Sequence, residues 1–401
     1  MQVINPGISI SKKEMPKYII YLLVFLFALH ISPASYINSS FLEQFVGSAY
    51  VGYIFSIASV LTLFSFIIIK RILGWVGNYK TFLGFLILDF ISLFILSLSL
   101  VFSGDIWAYI FIPTYIVGFV ARSICFLNLD IFLEHITSDE ETGGVRGFFL
   151  TSLNSAFILG PFISSLLIID ASEAGKVYLL SWVILIPVIM MTIRFLHNFS
   201  DSYYKKSNMW HTAIQVYKDD SLRKVFSTNF ILRFFYSWMI IYIPIFFTKT
   251  IGFTLSESTL IISIALISFV LLQIPMGIIA DKYIGEKEIM TAGLIIMGLS
   301  TMSIAFFDVH SFYFWATLLF ITRVGASMVE IMTDTYLFKK INDDSVNILG
   351  FYRAIRPIAY IISPILASVL LIFVDINYLF LILGIIVLFG VKFSLGIKDS
   401  R

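Results

Sequence analysis

The sequence predicts an all-α polytopic membrane protein, with twelve transmembrane helices in two pseudo-symmetric six-helix bundles, and three observations predict it. The first is composition. Of 401 residues, 59% are hydrophobic and 13% charged, where a soluble domain carries about 45–50% apolar and about 25% charged residues. That excess, with 41 Phe spread over the whole length, has too few polar residues to cover it, so its solvent is lipid and a soluble enzyme is excluded. The second is twelve apolar runs, each close to the roughly 20 residues that cross a bilayer. The third is the side on which the basic residues fall.

The runs are separated by charged, Gly or Pro residues. Span 1, 17–37, follows Lys12, Lys13 and Lys17 and has no small-residue cleavage site, so it reads as a retained helix and not as a signal peptide. Span 2, 47–69, opens at Gly47 and stops at Lys70-Arg71; span 3, 81–103, opens after Lys80 and stops at Gly104-Asp105. Span 4 covers 106–133, span 5, 147–169, opens after Arg146, and span 6, 177–196, follows Lys176. Span 7, 225–248, lies between Lys224 and Lys249, and span 8, 257–280, ends at Asp281-Lys282. Span 9, 287–307, ends at Asp308, and span 10, 311–338, at Lys339-Lys340. Spans 11 and 12, 347–373 and 376–396, flank Asp375.

With this layout the termini, the even-to-odd connections and the span ends that adjoin them carry 20 Lys and Arg, while the opposite loops carry only Lys176 and Lys249. Basic residues favour cytoplasmic loops. Both termini are therefore expected in the cytoplasm, in a multi-pass protein of the cell membrane, and an odd number of spans would destroy the asymmetry. The longest connection, 197–224, contains Tyr203, Lys205, Lys206, Trp210 and Tyr217. A basic, aromatic stretch of this kind suits a helix lying along the membrane interface. It divides the chain into bundles at 1–196 and 225–401.

An internal repeat links the two halves. Asp130–Pro161 and Asp334–Pro364 align with one gap, so that Asp130 faces Asp334, Leu133 faces Leu337, Gly147-Phe148 faces Gly350-Phe351 and Pro161 faces Pro364. Other classes lack support. A net charge of +2 gives no footprint for nucleic acid. The single Cys125 excludes an internal disulfide and a Cys-rich metal site. No Gly-rich phosphate loop offers to bind ATP, and no cofactor is called for.

At this point the chain resembles the major facilitator superfamily over essentially its whole length. Gly277-Ile-Ile-Ala-Asp281-Lys282-Tyr-Ile-Gly285-Glu-Lys287 is similar to the family's loop signature, with the second Gly one position late. The first-half counterpart, Lys70 to Lys80, keeps the glycines and basic residues but lacks the Asp. Ala156 to Ser165 resembles the family's antiporter signature, with Ala and two Ser where Gly would stand, which implies export. The resemblance implies that spans 1, 4, 7 and 10 line a central cavity and that the Asp281 loop is a cytoplasmic latch. Physically, Asp281 could accept from the free N–H groups at the start of span 5, beside Arg146 and Gly147.

Ionisable groups inside apolar spans are costly and face cavities or partners. Arg323, Ser327, Glu330 and Asp334 share one face of span 10, as Arg353, Arg356 and Tyr360 do on span 11. Span 7 adds Arg233 and Tyr236, span 4 Arg122 and Asp130, and span 1 His30. Asp89 on span 3 has no evident role. Tyr36, Asn38, Tyr115, Asn128, Trp238 and Tyr242 are further candidates for the cavity wall. The surplus of arginine in the second half suits an anionic or carboxylate-bearing substrate.

The expectation is a monomeric secondary transporter moving a small molecule by alternating access. Its coupling ion is a proton carried on Glu330 and controlled by the proximity of Arg323. An intramembrane lipid-modifying enzyme, and a non-transporting sensor or scaffold with a transporter fold, are the competing classes.

Overall fold

The structure, a computed structural model, describes residues 17–136, 142–197, 209–340 and 346–397. The described residues form helices joined by short connections, without strands. The first half holds α1 (Lys17–Ser35), α2 (Asn38–Val46), α3 (Ser48–Ser97), α4 (Ala108–Ile136), α5 (Thr142–Leu167) and α6 (Ala174–Phe195). A connecting helix, α7 (Met209–Lys218), leads to α8 (Asp220–Phe246), α9 (Leu255–Lys282), α10 (Glu286–Ser303), α11 (Phe312–Lys340), α12 (Val346–Leu370), α13 (Ile376–Phe389) and α14 (Val391–Leu395). Ten helical segments among the described residues are long and apolar enough to cross a membrane. Shorter apolar helices at Thr151–Leu167 and Ala354–Leu370 supply the positions of spans 5 and 11.

Two boundaries differ from the sequence reading. Spans 2 and 3 were expected to be separated by a loop from Lys70 to Lys80. Instead α3 continues as helix through that stretch and breaks only at Gly77, whose φ of 82° and ψ of 167° leave the helix. A residue with a side chain is disfavoured there, so the glycine and not the basic residues sets the turn. Span 1 also runs further, through α2, after an interruption at Tyr36-Ile37 that follows Pro33.

Within the first half α1 packs on α5 and α6, and α3 on α4 and α6. Within the second, α11 packs on α8, α9 and α10, with α8 against α12 and α10 against α13. The halves meet along α3–α12 and α5–α9, with α2 against α8. Pro161 and Pro364, aligned by the repeat, lie inside α5 and α12, two of those seam helices. The helix α7 docks on α8 and α12, burying Val216 with Leu222, Phe226, Leu337 and Ile348 while Tyr217 stays exposed.

Five polar contacts among the described residues join the halves. Ser56 Oγ donates to the Ile361 carbonyl at 3.1 Å, Ser263 Oγ to Ile158 at 2.9 Å and Ser256 Oγ to Ser165 at 2.5 Å. The Leu255 N–H donates to Ile169 at 2.8 Å, and Lys249 pairs with Glu43 at 3.3 Å. By the up-and-down course of the helices, all five lie in the part of the bundle away from Lys17 and Ile397.

Candidate functional site

Several of the polar groups inside the spans meet partners on other helices. On α8, Arg233 and Tyr236 are one turn apart and converge on Glu330 of α11. Arg233 Nη1 donates to Glu330 Oε1 at 2.8 Å, and the Tyr236 hydroxyl donates to Oε2 at 3.2 Å. About a fifth of each charged side chain stays accessible, 19% for Arg233 and 20% for Glu330. Tyr352 of α12 donates to Asp334 Oδ1 at 2.7 Å, one turn further along α11.

The expected pairing of Glu330 with Arg323 does not form. The two are on one face of α11 but seven residues apart, which is roughly 10 Å along the axis at about 1.5 Å per residue. Arg233 reaches Glu330 sideways from another helix at the same depth. Arg323 is instead 2% exposed, with its guanidinium 5.3 Å from the Phe235 ring centroid and 5.9 Å from that of Tyr236. Its Nε has no hydrogen-bond partner, and it makes no ion pair among the described residues. Its charge reaches Tyr36 of the first half and Tyr360 of α12, and Arg356 acts on the same two tyrosines. Arg356 is exposed and lies 5.7 Å from the Tyr360 ring centroid. Tyr115 of α4 is also within electrostatic reach of Tyr360, and its buried hydroxyl has no partner. Tyr36 and Tyr115 of the first half are thus within electrostatic reach of the second, Tyr36 of Arg323 and Arg356 and both of Tyr360.

The first half supplies a separate cluster that sequence reasoning missed. Asp89 Oδ1 accepts from Arg122 Nη1 at 2.7 Å, and Oδ2 lies 3.0 Å from His30 Nε2. A carboxylate in an apolar span with a His and an Arg on other spans was the available signal. A second buried polar pair, Asn78 and Asn128, joins α3 to α4, with Asn128 Nδ2 donating to Asn78 Oδ1 at 2.5 Å. Asp130 is half-buried on α4, away from neither surface nor partners.

At the end of α9, Gly277 has open space around it, and Gly285 takes a φ of 106° before α10. The next residue, Glu286, is buried and accepts from Lys339 Nζ of α11 at 2.5 Å. The side chains of Arg146, Asp281, Lys282 and Arg353 lie outside the described part of the structure. Among the described residues no group of three His, Cys, Asp or Glu could hold a metal ion.

A bundle of apolar helices in two halves, with a polar centre between them, is the architecture of a secondary-transporter fold in a multi-pass membrane protein. The comparisons specify it. Residues 225–398 match the sequence profile of the Major Facilitator Superfamily. A crystal structure of a point mutant of the nucleoside transporter NupG superposes with a TM-score of 0.70 at 14% identity, covering 95% of this chain and 100% of the other. That of a D-xylose-proton symporter does so with a TM-score of 0.70 at 14% identity, covering 96% and 98%. The second half of the chain thus carries the sequence pattern of that superfamily, and the whole chain has the fold of these two transporters. Comparison with curated protein sequences returns no match.

Proposed function

We propose that the protein is a proton-coupled secondary transporter of a small anionic or carboxylate-bearing molecule, working by alternating access. The observation that carries this is Arg323: a guanidinium 2% exposed, held between aromatic rings, without a carboxylate among the described residues. An unpaired buried cation is expensive, and a substrate carboxylate would complete it with charge-assisted hydrogen bonds. Arg356, Tyr36 and Tyr360 would hold the rest of the anion. The D-xylose-proton symporter shares the fold and supports proton coupling as a reading here.

Thermal stability of the purified protein against a panel of organic anions, nucleosides and pentoses tests it. Anions should stabilise the wild type. Arg323→Gln should weaken that binding by at least about tenfold, the order expected for a lost charged hydrogen bond of about 1.5–3 kcal/mol. Stabilisation by neutral solutes alone would overturn the anion reading. Flux of the stabilising compound in proteoliposomes then separates a transporter from a sensor. A lipid-modifying enzyme would need free acid or nucleophile groups, whereas Asp89, Glu330 and Asp334 are each held by Arg, His or Tyr.

The basic asymmetry places the termini in the cytoplasm, so the five cross-half contacts would close the outer side and the central site would open inward. The turn from Gly277 to Lys287 would then act with the start of α5 as the inner latch. Cysteines introduced at Gly104 and Ser172 should be labelled by impermeant reagent from outside intact cells. Labelling of Ser172→Cys only after permeabilisation would defeat the twelve-span topology.

A further inference from the structure

The cluster in the first half stands apart from the Arg233–Glu330 pair and has a different logic. His30 of α1, Asp89 of α3 and Arg122 of α4 share one carboxylate. His30 and Asp89 are fully buried, whereas Arg122 keeps 12% of its side chain accessible. Arg122 and Tyr115 are seven residues apart on α4 and so share a face, and Tyr115 is in reach of Tyr360 across the halves. Arg122 is thus about 10 Å along α4 from Tyr115, and its charge reaches that hydroxyl.

One carboxylate balances one cation. With His30 neutral, Asp89 and Arg122 close to zero charge. Asp89 accepts, so Nε2 of neutral His30 carries the proton and Nδ1 carries the lone pair. That Nδ1 is buried without a hydrogen-bond partner, with the Phe27 carbonyl one turn back beside it. A proton taken from water would bind at Nδ1, breaking only the O–H bond of its donor, and the new N–H would donate to Phe27. The cluster would then hold two cations against one anion, which a low-dielectric interior resists. His30 is enclosed, while Arg122 keeps part of its side chain accessible.

The charged groups acting on His30 are Asp89 of α3 and Arg122 of α4. The helices α5 and α6, which also pack on α1, bring no charged group to it among the described residues. Cys125 of α4 lies in reach of both Asp89 and Arg122, and Tyr178 of α6 in reach of Arg122.

We propose that Asp89 is a shared acceptor for which His30 and Arg122 compete, so that a proton on His30 releases Arg122 toward the central site as a first-half contact for an anionic substrate. The proposal rests on the anion reading only for what Arg122 does once released. Proton and anion are coupled here without the proton touching the substrate, because one positive charge is exchanged for another at Asp89.

Phenylglyoxal modification of Arg122, scored by mass spectrometry relative to the exposed Arg194 in the full-length protein in nanodiscs, tests the release without any substrate. The Arg122 to Arg194 ratio should rise at least about threefold as the pH falls from about 8 to about 5. It should be flat and low in His30→Gln, and high at every pH in Asp89→Asn. A flat ratio in the wild type, or a wild-type response surviving in His30→Gln, would overturn the proposal. Should His30→Gln fail to fold, nitrogen-15 spectra of labelled histidine with His135, His197, His211 and His310 replaced report His30 alone. Imidazolium signals must appear over the same interval, and a ring that stays neutral overturns the switch. If the ratio responds but no anion stabilises the protein, the switch stands and the anion reading falls.

Discussion

Gly52→Val is expected to force the α3–α12 seam apart and to shift the protein toward a state open at the end away from Lys17 and Ile397. A Cβ at Gly52 would overlap the Tyr242 hydroxyl and the Ser368 hydroxyl, and would sit 2.5 Å from the Pro364 carbonyl oxygen. The two hydroxyls can rotate away, but a backbone carbonyl cannot. Tyr242 and Trp238 of α8 already tie α12 at this level, through Tyr242 to Pro364 at 3.3 Å and Trp238 Nε1 to Ser363 at 2.6 Å. The added side chain therefore meets a seam with no slack. Overpacking of this kind costs about 1–3 kcal/mol, which is roughly 5- to 150-fold in a balance between two conformations. Because the closed state alone bears the clash, the cost falls on that state and not on folding. Spin labels at Ser172 and Asp308 should move apart in the mutant, and Gly52→Ala should give a smaller change in the same direction. An unchanged distance with normal flux would mean that the seam does not open there.

The legible part of the molecule was the part set by long periodic patterns. Twelve apolar runs mark helices because each must satisfy its own backbone in lipid, and the repeat around Pro161 and Pro364 falls on two seam helices. The turn between spans 2 and 3 was misplaced, because Lys70, Arg71 and Lys80 suggest a loop while only Gly77 leaves the helix. Charged groups were found, yet their partners were not. Arg323 and Glu330 share a face, but pairing also needs the same depth, which Arg233 has and Arg323 lacks. Asp89 had no account because only spans 1, 4, 7 and 10 were expected to line the cavity. It faces inward since α3 packs on α4 and α6, bringing Asp89 to Arg122, with His30 reaching it from α1. Depth and rotation of one helix against another depend on every packed neighbour, and a single sequence records neither.

Glu330→Gln is the mutant on which the remaining readings separate. If Glu330 carries the coupling proton, protonation must break its pair with Arg233 during each cycle, and the amide imitates the protonated carboxyl. Transport driven by a pH gradient should then be abolished, while exchange of the stabilising substrate at equal pH persists. If Glu330 only neutralises Arg233, the amide still accepts from Nη1 but leaves that cation with Asp334 as its remaining nearby carboxylate. Breaking a buried pair costs about 3–5 kcal/mol, and the accessible fifth of both side chains reduces that cost by solvent screening. The protein should then melt early, with exchange and gradient-driven flux lost together. A stable mutant with normal gradient-driven flux would remove Glu330 from coupling altogether. The proton would then have to be taken up elsewhere, and His30, which shares Asp89 with Arg122 in the other half, is the group positioned to do it.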